Sequence, residues 1–300
     1  MEFGRLPLSR VGEIDFSLPQ EPYFNRGILP GKEATNPKVY VGCAKWDRKE
    51  WAGKIYPKGT PEKDFLKFYI DHFNAIELNA TGYKTPGIQQ VTTWGENAAG
   101  KDFLFCPKLV RFIVPNGNAA GQLESITSFL TSVKELGRNL GPIFITLQEN
   151  FSPLKAKFLF EFLSDFPKTN QLFLELRHPD WFKIPENFKE LIKGSSMQNT
   201  GLIITDTAGR RDVAHMHLTI PKAFIRFAGN SLHPSDYIRC DDWVSRIKLW
   251  LSNGLQELYF FIHMREEAKT PELAAYLIEQ LNKQCKLTLP NPNWRLNSIL

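Results

Sequence analysis

From Lys38 onward the apolar positions fall into two alternating kinds of segment. Short runs, several of them apolar on both faces, occur at Val39–Gly42, Ala75–Asn79, Phe103–Lys108, Ile143–Gln148, Leu172–Arg177, Leu202–Asp206, Ala223–Phe227 and Leu258–His263, and read as strands buried in a parallel sheet. Helical periodicity lies between most of them, at Pro61–Phe73, Pro86–Asn97, Gly121–Leu136, Pro153–Phe166, Trp181–Lys193, Asp241–Asn253 and Pro271–Lys283. Several of these open with proline near the first turn, and Gly137 and Gly254 stand at stops. Eight strands with helical crossovers over about 250 residues predict an α/β fold, a single TIM (β/α)8 barrel spanning residues 38–290. The competing architecture is an open doubly wound sheet, but no GxGxxG follows the first strand. One crossover differs: TAGRRDVAHMHLTIP, between Asp206 and Lys222, lacks apolar periodicity and predicts an irregular connection with no full helix.

Residues 1–37 carry five prolines and scattered Phe3, Ile14, Phe16, Tyr23 and Phe24. They predict an irregular N-terminal arm whose aromatics pack against the barrel without entering its upper mouth. Residues 291–300 read as a C-terminal tail. A hydrophobic share of 42% with 23% charged residues is that of a soluble globular chain, and no apolar run nears the length of a membrane span. A net charge of +5 over 300 residues is mild. It permits an anionic ligand and leaves nucleic acid possible, but no dense Lys/Arg run demands it. Cys43, Cys106, Cys240 and Cys285 lie far apart with no CxxC pair, which argues against a zinc knuckle or disulfide scaffold and fits a reducing compartment. With no basic start and apolar core at residues 1–36, the expected location is the cytoplasm.

Candidate chemistry concentrates at the ends of the strands. In LFLELRHPDW, Leu172, Leu174 and Leu176 share one face and Phe173, Glu175 and Arg177 the other. His178 follows, Pro179 stops the strand, and Asp180 is placed to cap a helix starting near Trp181. The same spacing of two groups Ala75, Glu77 and Asn79, then Leu104, Cys106 and Lys108, then Phe144, Thr146 and Gln148. Leu202, Ile204 and Asp206 follow, then Phe224 and Arg226, then Tyr259, Phe261 and His263. If those faces point inward, the polar side chains meet at the upper mouth, where TIM-barrel active sites lie. The plainer alternative is a buried ion network of Glu77, Glu175 and Asp206 with Lys108, Arg177 and Arg226.

Other signals are weaker. His215 and His217 stand two apart in AHMH with no carboxylate in register, and read as loop or surface histidines before a metal pair. Ser195 and Ser196 lie in a helical stretch without a GxSxG elbow. Trp46, Trp51 and Tyr56, after the first strand, fit either a platform for a ligand or a hydrophobic plug.

The blocks VGCAKWDRKEWAGKIYP, FNAIELNATGYKTP, FLFCPKL, LELRHPDWF and FIRFAGN resemble, in order, those of the DUF72 (YecE-like) family, from about Val39 to Leu281. The resemblance implies a TIM barrel and supplies no reaction. The family's recurrent polar positions correspond to Glu77, Asn79, Tyr83, Lys108, Glu175, Arg177, His178 and Arg226. Two departures point to an altered ligand or activity. The family's Thr-His after the third strand is absent from RFIVP. His263-Met264-Arg265 replaces an Asn-rich end of the last strand, with AKTPELA in place of a Gly-x-Ala-Pro approach to the last helix.

The expected function is an enzyme acting on an anionic, phosphate-bearing substrate. Lys108, Arg177 and Arg226 would hold the anion, with Trp46, Asn79, Tyr83, Asp206 and His263 around it. Glu77 or Glu175 would be the general acid/base, with His178 or His263 as proton-transfer partner. The alternatives are a non-catalytic barrel that binds an anionic metabolite or nucleic-acid end, and a divalent-metal hydrolase or isomerase using Glu77, Glu175, Asp206 and His263. The residues name no cofactor, and the neighbouring cations argue against a highly charged metal site.

Overall fold

The computed structural model describes residues 2–115 and 119–292, so most of the expected C-terminal tail lies outside the described residues. The strands are β1 Lys38–Cys43, β2 Ala75–Leu78, β3 Leu104–Pro107, β4 Ile143–Thr146, β5 Leu172–Glu175, β6 Gly201–Asp206, β7 Lys222–Gly229 and β8 Glu257–Met264. All their pairings are parallel, in the order β3-β2-β1-β8-β7-β6-β5-β4. The ring closes between β3 and β4 by isolated bridges, Phe105 with Leu140 and Lys108 with Phe144. Two amide bonds run beside them: Gly141 N–H donates to Phe105 O at 2.8 Å and Leu109 N–H to Phe144 O at 2.7 Å. The result is the expected α/β barrel.

The helices are α1 Phe65–His72, α2 Ile88–Asn97, α3 Ala119–Val133, α4 Ala156–Asp165, α5 Asp180–Lys183, α6 Pro185–Met197, α7 Pro234–Ser252 and α8 Thr270–Cys285. Helix α7 begins seven residues before the expected Asp241. Pro234 supplies the first turn, and the His233 ring accepts from Ser235 N–H at 3.2 Å. Between β6 and β7 only a single 3-10 turn forms, Arg211–Val213, as the missing periodicity predicted. Within that crossover His215 is not a surface residue. It is buried, stacks on Phe182 at 5.9 Å, and burial pushes its pKa down to about 3. Ser195 and Ser196 lie inside α6.

The core has two layers. Outward strand residues such as Val41, Ile76, Ile225 and Phe260 pack under the helices. Inside the barrel, Tyr40, Phe144, Phe173, Phe224, Tyr259 and Phe261 form a floor of rings with the Cys106 thiol among them, Phe224 lying 5.0 Å from Phe261 and 5.3 Å from Phe173. This floor excludes water beneath any polar layer above it.

The arm carries two 3-10 turns, Leu8–Glu13 and Tyr23–Gly27, and packs on the barrel as expected. Asn25 reaches the Met216 carbonyl at 2.9 Å, and its carbonyl oxygen accepts from Leu218 N–H at 2.8 Å. The expectation that it stays clear of the mouth is corrected. Residues 2–6 cross the carboxyl ends of β5, β6 and β8, because Phe3 has a guanidinium to lie on and the backbone finds ready partners there. Among the described residues no helix is long and apolar enough to cross a membrane.

Candidate functional site

At the carboxyl ends of the strands a charged ring sits on the aromatic floor. Arg226, from β7, grips Glu77 of β2 with two bonds, Nε to Oε2 at 3.0 Å and Nη2 to Oε1 at 2.8 Å. Its remaining nitrogen, Nη1, reaches Glu175 Oε1 of β5 at 2.7 Å. Arg177 closes on the far oxygen of Glu175 at 2.8 and 3.1 Å, and Thr205 of β6 donates to the near one at 2.7 Å. Asn79 and His263 complete the partners of Glu77, at 2.7 and 3.0 Å. Each side chain lies near the carboxyl end of its strand in an inward phase, so β2, β5, β6, β7 and β8 converge on one polar layer.

Burial alone would raise both carboxyls. The adjoining guanidiniums outweigh it and hold Glu77 and Glu175 well below the usual carboxylate range. Burial pushes His263 down to about 4 against the pull of Glu77, so its ring is neutral at pH 7. With Glu77 ionised, His263 Nε2 carries the proton and donates, and Nδ1 keeps its lone pair with no partner among the described residues. The acid/base role expected of Glu77 and Glu175 finds little support in this arrangement: both are ionised, buried and saturated by donors.

These states make stability acid-sensitive. The contribution of Glu77 and Glu175 is complete above their unfolded pKa, about 4.3, and is lost as pH falls toward their depressed folded values. His263 acts earlier: between pH 6.5 and about 4 the unfolded chain binds its proton first, which favours unfolding by about 3 kcal/mol at the lower end. His215 adds in the same direction. The urea midpoint is expected to decline steadily from pH 6.5 to 4, and His263→Gln to flatten part of that slope. A midpoint constant over this range would show that the ring histidine is solvated.

Above the ring opens a cavity of about 500 Å³. Arg5, Lys45, Lys108, Arg111 and Arg265 line it against the acids Glu2 and Glu267, with Asn79, Tyr83, Gln148 and His263 between them. Lys45 is committed to Glu267 at 3.3 Å. Lys108 is different: its ammonium has no ion pair among the described residues. Burial and repulsion from Arg226 push it down to about 8, against the attraction of Glu175 and Glu77. Its backbone is clasped to the end of β2, with Thr81 Oγ1 donating to Lys108 O at 2.8 Å and Lys108 N–H to Leu78 O at 3.2 Å. Its stem lies over Gly82, where a Cβ would stand 2.8 Å from Lys108 Cδ. Glycine there lets the side chain run flat into the mouth.

The expected site residues therefore separate into groups. Glu77, Glu175, Arg177 and Arg226 form the ring. Asn79, Lys108 and His263 join it to the cavity, and Tyr83, 69% exposed, stands at the rim with Arg111 5.6 Å above its ring. Asp206 does not come to the mouth. It lies on the outward face of β6, fully buried, bound by Arg239, Arg211 and Trp243, and the inward position is Thr205. The strand is apolar on both sides, so alternation left its phase open. His178 is also elsewhere: its Nδ1 accepts from Asp180 N–H at 3.2 Å, so it does the helix-capping expected of Asp180. Trp46 packs edge-on against Trp94 and Phe105 at 5.7 and 6.5 Å, the plug of the two readings, and Trp51 lines the cavity while donating to Glu267 O. The sequence reading missed Thr205 and Arg5, and met Arg111 and Arg265 only as departures from the family pattern without giving either a role.

The proposed metal donors Glu77, Glu175, Asp206 and His263 do not form a set, since Arg226 lies between the two glutamates and Asp206 faces outward. Among the described residues no three acidic, histidine or cysteine side chains cluster as metal ligands. A second cavity, about 630 Å³, opens at the amino ends of the strands, where Lys222 and Glu257 are paired at 3.0 Å. It lacks the convergent strand-end groups of the mouth.

Comparisons with known proteins agree with this architecture. The UPF0759 protein YecE of Escherichia coli strain K12 is 27% identical over 270 residues, 84% of this chain and 94% of that protein, and YecE of E. coli O157:H7 gives the same values. Two crystal structures of a DUF72 family protein, EF0366 of Enterococcus faecalis V583, superpose with TM-scores of 0.66 and 0.64 at 18% identity, covering 85% and 84% of this chain and 98% and 99% of theirs. At that identity they support the fold. The family described as protein of unknown function DUF72 matches residues 40–295, and the chain belongs to it.

Proposed function

We propose that the mouth takes an anionic, phosphate-bearing small molecule and that the protein is an enzyme acting on it by proton transfer, with Lys108 as anion anchor and acid/base group. The Lys108 ammonium, without an ion pair among the described residues and with only the Phe144 ring beneath it at 5.9 Å, carries this reading. Every neighbouring charge of the ring is satisfied, whereas Lys108 stands at a cavity whose wall holds an excess of cations. An ammonium held near pKa 8 both attracts an anion and exchanges a proton near neutral pH. Neutral His263, whose Nδ1 has no partner among the described residues, is the complementary base, and Glu77 orients it. Arg226 and Arg177, which already hold carboxylates, position the ring beneath and leave the ligand to Lys108.

Calorimetry with inorganic pyrophosphate is expected to show binding that weakens as pH rises through about 8, while Lys108→Met loses at least tenfold in affinity and the pH dependence with it. A screen over phosphomonoesters, phosphodiesters and sugar phosphates, with and without divalent metal, is expected to give turnover that Lys108→Met removes. Pyrophosphate binding equal in the two chains sinks the assignment of Lys108. Binding without turnover on any substrate would leave a non-catalytic anion-binding barrel.

A further inference from the structure

Residues 2–6 form a strap across the mouth, and they lie outside the family match of residues 40–295. Its hold is specific. Gly4 O accepts from Gly209 N–H at 2.7 Å and from Thr207 Oγ1 at 2.8 Å. Gly4 adopts φ +67°, and a Cβ there would stand 2.3 Å from Thr207 Cγ2, so only glycine lets the strap lie this close. Phe3 is buried with its ring 4.5 Å from the Arg177 guanidinium and 5.2 Å from that of Arg210. At the other side Arg265 donates to Leu6 O at 2.9 Å, and Arg5 Nη2 to Met264 O at 3.0 Å. The strap thus covers the Arg177 side of the ring and leaves the opening on the Lys108 side. Arg5 and Glu2 form part of the cavity wall there.

We propose that the strap is a built part of the binding site, in which Arg5 supplies a cation to the anion held at Lys108 and Phe3 seals the ring from water. The inference rests on the anion-binding reading of the mouth and adds to it a residue from outside the barrel. Arg5 suits the task. Its side chain is 18% exposed, its Nη2 is fixed by a backbone carbonyl, and its acidic partner is Glu2, whose side chain is 88% exposed. An entering anion takes the place of a solvated carboxylate and leaves the guanidinium where it is, so little reorganisation opposes binding. Arg also presents several donors in a fixed plane, which matches two oxygens of one phosphate.

The test uses the full chain, Arg5→Gln, Phe3→Ala and Lys108→Met, titrated with inorganic pyrophosphate at fixed salt and pH 7. Arg5→Gln is expected to weaken binding about tenfold while the melting temperature without ligand stays the same. Phe3→Ala is expected to speed modification of Arg177 by phenylglyoxal, read by peptide mass. Arg5→Gln affinity equal to that of the unaltered chain, with Lys108→Met still impaired, overturns this inference alone. No pyrophosphate binding by the unaltered chain overturns the anion-binding reading and this inference with it. Unchanged phenylglyoxal reactivity in Phe3→Ala overturns the sealing role.

Discussion

An Arg226→Ala chain is expected to unfold about 3–5 kcal/mol more easily than the unaltered chain. Arg226 is only 2% exposed and is the sole side chain joining Glu77 to Glu175 among the described residues. Without it, Glu77 keeps Asn79 and His263, and Glu175 keeps Arg177 and Thr205. Arg177 still neutralises Glu175, but Glu77 is left ionised over an apolar floor with only an amide and a neutral imidazole beside it. The chain then either takes up a proton or unfolds. Urea unfolding at pH 7 and pH 5 measures both effects, and the loss should be smaller at pH 5, where protonating Glu77 removes the unpaired charge. A loss under 1 kcal/mol at pH 7 would mean that the ring is hydrated. From the strand-end position alone, Arg226 fits either a solvated mouth residue whose removal spares the fold or a member of a buried ion network. Its burial favours the second, and the mouth lies one layer higher.

Asp206→Ala is expected to cost a similar amount, about 3–5 kcal/mol, with pyrophosphate affinity unchanged. Arg239 on α7 is wholly buried. It touches Asp206 Oδ2 through Nε at 3.1 Å and Oδ1 through Nη2 at 3.0 Å, and stacks on Phe227 at 4.0 Å. Trp243 donates to the same carboxylate at 2.8 Å. Removing Asp206 leaves Arg239 only Asp236, at 3.2 Å, and backbone carbonyls. Asp206→Asn, which keeps the shape and one acceptor, should recover part of the loss. A change in pyrophosphate affinity beyond threefold in either variant would put Asp206 back in the mouth.

The barrel was legible because strands buried on both faces and amphipathic helices alternate in regular order, and periodicity alone separates them. Ring members were legible where one face of a strand is marked by a change of character, as in Phe173–Glu175–Arg177. Asp206 was not, since Leu202 to Ile204 are apolar at every position and the partner that fixes the phase, Arg239, lies 33 residues downstream. His178 takes the capping contact expected of Asp180 through a backbone geometry that residue types do not encode. The strap depends on a contact 259 residues apart, Arg5 with Met264, beyond any local pattern.

The seam between β3 and β4 has a further consequence. Elsewhere the wall is knit by ladders of two to eight paired positions, longest between β7 and β8, but here it is fastened by isolated bridges, and one of them passes through Lys108 itself. The barrel behaves as a hoop with a clasp. The Glu77–Arg226–Glu175 truss ties β2 and β5, the strands next to either edge of the break, across the barrel through β7, so it holds the hoop one strand back from the clasp. On the proposed reading Lys108 both closes the hoop and anchors the anion, so a ligand that binds only the closed hoop would by linkage stabilise the seam.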